Sequence, residues 1–233
     1  MTNADAPSQK CLDPWASSKP RVITLAELQP GDMLLHRGNN KPVRAAIKVA
    51  TRSPYTHASM YLGDGCVAEA TWPQGVRTSK LEVPKGQHVA VFRSQCGFDA
   101  ERLQILKAFV NELVQQQTQY DLKVCKVWKM KKAKLAHELK QLEVLEAYFT
   151  RGEKPEAYGA DGYFCSALVV ACYFTVGILG ESMACVDRPE LHLPEDLGHN
   201  VDFGHIVGYL AAEGYAIPSD DPFRNNPCFD SMF

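Results

Sequence analysis

Apolar positions along the chain alternate in short runs up to about residue 94 and then recur at helical spacing, with one early exception. "RVITLAELQPGDMLLHRG" predicts a short strand or turn, the Pro30-Gly31-Asp32 turn and a strand Met33–His36. The exception follows in "KPVRAAIKVATRS", where Val43, Ala46, Ile47 and Ala50 have helical spacing between Lys41-Pro42 and Ser53-Pro54. "SPYTHASMYLGDGCVAEAT" predicts a hairpin turning at Gly63-Asp64-Gly65, and "QHVAVFRS" a further strand. "DAERLQILKAFVNELVQQQ" predicts an amphipathic helix with Leu103, Leu106, Val110 and Leu113 on one face. Residues 123–150 change character, Lys-rich first and then rich in Glu and Leu. Val124, Val127, Leu135, Leu139, Leu142 and Leu145 can form an apolar stripe, so a helical insertion is expected at about 123–160. "RGEKPEAYGADGYF" is expected as a loop. "CSALVVACYFTVGIL" is expected as an almost wholly apolar, buried helix with Gly177 and Gly180 near its end. The Pro-rich tail from "MACVDRPELHLPEDLGH" on is expected to be loop-like, interrupted by a short strand or helix at "FGHIVGYLAAEG".

Composition narrows the picture. Hydrophobic residues at 45% and charged residues at 22% can fill an ordinary core. Residues 22–233 are expected to form a single domain behind a flexible N-terminal segment, 1–21. A net charge of −2 supplies no global field toward nucleic acid. No stretch reaches the roughly 18 apolar residues of a membrane span. "MTNADAPSQKCLDPWASSKPRV" has no apolar core of a Sec signal peptide, so a cytoplasmic location in the producing cell, with delivery by a non-classical secretion system, is the expectation. The eight cysteines are expected as mostly free thiols, since a chain of this size does not need disulfides. Cys185, His192, His199 and His205 recur with six or five residues between them, which fits no common zinc pattern. No metal and no cofactor is expected. Lys123, Lys126, Lys129, Lys131, Lys132 and Lys134 are expected as a solvated helix face, with a weak membrane-surface contact as the alternative.

The chemistry concentrates on one cysteine. Cys165 opens the apolar helix, where the macrodipole and unpaired backbone N–H groups favour thiolate. Cys172, two turns on, has neither advantage and is expected in the core. A thiolate nucleophile needs an imidazole, and the imidazole needs a polar group to orient it. In "HASMYL", alternation puts His57, Ser59 and Tyr61 on one face, the more polar one, and the apolar Ala58, Met60 and Leu62 on the other. A hairpin centred on Asp64 makes Glu69 the diagonal neighbour of His57 on its face. A two-residue loop, shifting the register by one, sends Glu69 to the opposite face. Cys66 is expected in the core, and His36 is expected to be solvated.

The order "LQPGDMLLHR … SPYTHASMYLGDGCVAEA … YDL … YFCSALV" resembles the circularly permuted branch of the NlpC/P60 papain-like superfamily, which includes YiiX-like and YaeF-like proteins and the lecithin:retinol acyltransferase group. The resemblance covers roughly residues 28–175, with 123–160 poorly matched and no counterpart for the tail. It implies an α+β, permuted papain-like fold, an antiparallel sheet packed against helices with the nucleophile at a helix N-terminus. It implies Cys165 as nucleophile, His57 as base and Glu69 as third residue, with Tyr120, Tyr163 and Ser166 as candidates for the substrate pocket or oxyanion. Acyltransferase relatives tend to have His where this chain has Glu69 and Asn where it has Phe164, and that departure favours the hydrolase side.

The expectation is therefore a cysteine hydrolase of amide bonds, with peptidoglycan peptides as first substrate and an antibacterial effector role, an immunity or delivery partner remaining unknown. The alternative is a lipid ester or thioester hydrolase or acyltransferase, with the Lys123–Lys134 segment facing a membrane. A catalytically dead binding module is the third reading, against which the intact Cys165, His57 and Glu69 stand.

Overall fold

The Pro30-Gly31-Asp32 turn docks the start of the sheet. Gly31 sits at φ 91, and a Cβ there would lie 2.0 Å from the Phe98 ring, so only glycine fits this approach. Gly31 N–H donates to Tyr61 O, and Tyr61 N–H donates to Asp32 O. Asp32 carries a paired Arg93 guanidinium, with both contacts at 2.8 Å. The computed structural model describes residues 21–38, 53–122, 127–154 and 162–226. The helix expected over 43–50, the N-terminal segment 1–20, Lys123, Val124, Lys126 and residues 155–161 of the expected loop lie outside the described residues.

The described residues form an α+β structure. Its seven strands are β1 (Val22–Ile23), β2 (Met33–Arg37), β3 (Tyr55–Gly63), β4 (Cys66–Thr71), β5 (Gly75–Lys80), β6 (His88–Arg93) and β7 (His205–Ala211), in the order β1-β7-β6-β2-β3-β4-β5. The four α-helices are α1 (Ala100–Gln115), α2 (Val127–Arg151), α3 (Cys165–Thr175) and α4 (Pro194–His199). The sheet is mixed, not antiparallel as expected, because β1 runs parallel to β7. "FGHIVGYLAAEG" is a strand, and not a peripheral one. β7 lies between β1 and β6, so the tail that looked loop-like supplies an interior strand.

Both faces of the sheet are covered. Met33, Leu35, Ala58, Met60, Leu62, Ala68, Ala90 and Phe92 pack in the main core with Leu106 and Val110 of α1 and Leu168 of α3. Leu34, Tyr61, Val67, Val89, Val91 and Val207 form a second, smaller core, against which Leu81 and Val83 pack. The face of β3 read as the more polar one is therefore closed as well: His57, Ser59 and Tyr61 are all buried. Helix α3 is buried from Cys165 through Tyr173, as a helix without a polar face must be. Cys172 lies wholly inside, and burial pushes its thiol up to about 12. Cys66, expected in the core, is only half-buried, because it closes the tip of the hairpin. No helix among the described residues is long and apolar enough to cross a membrane.

The C-terminal segment is fastened by one buried carboxylate. Asp221 accepts from Tyr55 Oη at 2.8 Å, Tyr209 Oη at 2.8 Å and Phe223 N–H at 3.1 Å, and His88 Nε2 lies 2.9 Å away. Burial raises its carboxyl, but His88, the two tyrosines and the Phe223 N–H outweigh that and hold it below the usual carboxylate range. Its contribution to stability is therefore present above the unfolded value of about 3.9 and is lost as pH falls through the lower folded value. Asp221→Ala is expected to destabilise by on the order of 3 kcal/mol, because it removes the buried acceptor that Tyr55, Tyr209, His88 and the Phe223 N–H share. Asp221→Asn is expected to flatten the acid limb of stability against pH, with urea unfolding from pH 7 down to pH 2 as the measurement.

Candidate active site

The site starts at the hairpin turn. Its loop is two residues long: Gly63 pairs with Cys66 across Asp64 and Gly65, whose φ values are 53 and 70. Positive φ at both central residues is the type I′ arrangement that suits the strand twist. Such a loop alone would send Glu69 to the wrong face. Instead the ladder shifts between Gly63 and Tyr61, so that Tyr61 pairs with Val67 and Met60 with Ala68. This bulge restores the register of a hairpin centred on Asp64. The turn thus differs from the expected one, and the pairing toward His57 does not.

Glu69 and His57 accordingly meet, with Glu69 Oε2 2.7 Å from His57 Nε2. The other carboxylate oxygen, Oε1, accepts from Arg77 Nε at 3.0 Å, Arg77 Nη2 at 2.7 Å and Ser79 Oγ at 2.7 Å. Burial alone raises the Glu69 carboxyl. The hydrogen bond and charge of His57, with Ser79 and Arg77, overcome it and hold the group ionised far below the ordinary carboxylate range. Arg77 and Ser79 were not among the expected residues. Both lie on β5, where Arg77 stands directly opposite Glu69. "GVRTSK" shows little apolar alternation, so the only signal was that Arg77 and Ser79 share one face of an extended run.

His36, expected to be solvated, is half-buried. It pairs with His57 across β2 and β3, its Nε2 hydrogen-bonds Ser59 Oγ at 2.8 Å, and its ring centroid lies 5.2 Å from that of His57. Next to it the ladder shifts again, from His36–His57 to Arg37–Tyr55, leaving Thr56 as an extra residue. The shift lets Tyr55 enter the main core, although His57 is only two positions on.

Cys165 comes to the same imidazole from α3. The groups that draw its thiol down are His57 and the backbone N–H groups of Ala58 and Ser166. Since Nε2 faces Glu69, Nδ1 is the ring nitrogen left for the sulfur. Burial pushes the thiol up, but the His57 hydrogen bond and charge, aided by the two N–H groups, win and lower it. Phe164, the N-cap, offers no side-chain cap, so the first N–H groups of α3 stay available at the sulfur. The three residues singled out for catalysis thus form one chain of contacts, Cys165–His57–Glu69, extended by Arg77 and Ser79.

The remaining candidates are placed around this line. Tyr120 and Tyr163 form a parallel bridge, with Tyr163 N–H donating to Gln119 O and Asp121 N–H to Tyr163 O. This strap holds residues 118–121 against the chain just before Cys165. It approaches closely: a Cβ on Gly162 would lie 2.4 Å from Gln119 O, and one on Gly75 2.2 Å from Thr118 O. The Tyr163 ring is buried edge-on to Phe109. Ser166 Oγ donates to His192 O at 2.7 Å, so what Ser166 turns to the sulfur is its N–H. A polar cavity of about 290 Å³ lies on the Glu69 side of His57, lined by His36, Glu69, Arg77, Ser79 and Gln87. No cluster of three or more His, Cys, Asp or Glu residues among the described residues is arranged to hold a metal. Compared with known proteins, the chain matches no family model and no curated sequence.

The thiol titration tests this geometry. The thiolate absorbance of wild type minus that of Cys165→Ser is expected to show a midpoint below the ordinary thiol value of about 8.5. In His57→Gln the same difference is expected to move above that value, because burial is then opposed only by the backbone N–H groups.

Proposed function

We propose that this chain is a cysteine-nucleophile hydrolase of amide bonds with a Cys165–His57–Glu69 triad, related to the permuted NlpC/P60 papain-like branch. The observation that carries the reading is the single imidazole between a depressed thiol and a buried, ionised carboxylate. A buried carboxylate with four donors is costly unless it holds something in place, and here it holds the ring that faces the sulfur.

In this reading Cys165 Sγ attacks the carbonyl carbon, and the N–H groups at the start of α3 stabilise the oxyanion. His57 delivers its proton to the leaving amine, which departs and leaves a thioester. His57 then takes a proton from water as the water attacks the thioester, and the thiolate leaves with the carboxylic acid released. Glu69 stays ionised and keeps His57 in the tautomer with Nδ1 toward sulfur. The chemistry consumes one water and needs no redox partner. Peptidoglycan peptides are the substrate proposed, on the strength of the motif order alone.

Purified peptidoglycan digested with wild type is expected to release peptide fragments by mass spectrometry, and Cys165→Ala none. Glu69→Ala is expected to lower kcat/KM by about 10²–10⁴-fold. Cleavage of phospholipid vesicles instead of peptidoglycan moves the substrate to lipid esters. Turnover that survives Cys165→Ala removes the triad from the chemistry.

A further inference from the structure

Helix α2 has two unlike sides. One side seats it on the body: Ala147 is buried, His137, Gln141, Val144, Leu145 and Tyr148 are half-buried, and His137 Nε2 contacts Val186 O at 3.3 Å. Part of the expected apolar stripe, Leu135, Leu139 and Leu142, lies on the other side with Phe149, while Leu145 faces the body. Leu135, Leu139, Leu142 and Phe149 are 58%, 78%, 81% and 71% exposed. Leu135, Leu142 and Phe149 are spaced by seven residues, and position 128, a Trp, continues the series one step back. A seven-residue apolar repeat is the pattern of a helix that pairs with another helix.

Charge selects the partner. The first part of α2 carries Lys129, Lys131, Lys132 and Lys134 and no acid, while Glu138, Glu143 and Glu146 follow with Lys140 among them, all four exposed. An anionic membrane attracts the first part but repels the second, and those acidic residues flank the same stripe. A parallel copy sets like charges together. An antiparallel copy does the opposite. With its two-fold axis between positions 138 and 139, position 135 faces 142, 128 faces 149, 131 faces 146 and 134 faces 143. Position 135 thus sets Leu against Leu, position 128 sets Trp against Phe149, and positions 131 and 134 set Lys against Glu146 and Glu143 in a single register, with Leu139 beside Glu138 at the axis.

We propose that α2 is a self-association surface, pairing antiparallel with α2 of a second copy of this chain about a two-fold axis at Glu138–Leu139. The contact is isologous and closes on two copies. Each copy contributes one helix of 25 residues, about 37 Å long, so the interface is small and the pair dissociates on dilution. The surface lies on the helix that the sequence marks as an insertion, and the pairing stands whether or not the chain is a hydrolase.

Sedimentation of the intact chain over a dilution series tests it. Wild type is expected to move between monomer and dimer. Leu142→Glu is expected to stay monomeric with an unchanged thermal unfolding midpoint, because Leu142 makes little contact with its own chain. Lys134→Glu and Glu143→Lys are each expected to weaken the dimer roughly tenfold. The double variant, which exchanges the charges, is expected to restore it. Wild type that remains monomeric throughout overturns the proposal, as does a double variant as weak as either single one. Binding of the monomer to phosphatidylserine vesicles that is lost in Leu142→Glu also overturns it, by giving the stripe to a membrane.

Discussion

A negative charge enclosed on β4 organises this half of the molecule. Glu69 stays ionised inside the sheet only because donors from two strands converge on it: His57 from β3, and Arg77 and Ser79 from β5. Any slip of β3, β4 or β5 strips away a donor and leaves a bare buried charge, which is among the costlier defects a core can hold. The register of three strands is thus tied to one carboxylate. The same tie fixes the imidazole that Cys165 meets from the other side of the chain's topology.

Local reasoning reached much of this. Alternation in "THASMYL" assigned the apolar residues of β3 to the main core, and the hairpin arithmetic joined His57 to Glu69. The length of the turn was not legible, because "GDG" accommodates more than one loop. The bulge at Leu62 cancels the difference, and a bulge has no signature in alternation itself. Cys165 at a helix start was visible from the change between a glycine-containing loop and an apolar run.

What escaped depends on distant partners. Strand β7 reads as an interruption in a Pro-rich tail, since a seven-residue apolar run does not announce which strands it will join. The Asp221 network draws on β3, β6 and β7, and no window of sequence holds all of it. His36 looked solvated because it ends a strand. It is half-buried because its register partner is His57 and its hydrogen-bond partner is Ser59. The apolar stripe of α2 was recognised as a stripe, but a helical period tells which residues share a face and not what that face meets.

The position of β7 has a consequence for the order of assembly. β1 and β7 come from opposite ends of the described chain and lie side by side, and β6 depends on β7 for its second neighbour. During synthesis, β1 through β6 and the cysteine helix all leave the ribosome before the strand that completes the sheet. Tyr173 of α3 also waits, because its hydroxyl anchors on Phe203 O in the segment leading into β7. The nascent chain therefore carries Cys165, His57 and Glu69 for some time without a finished seat for the helix that bears the thiol. The surroundings of Cys165 are completed late, with the last strand rather than with the helix that carries it.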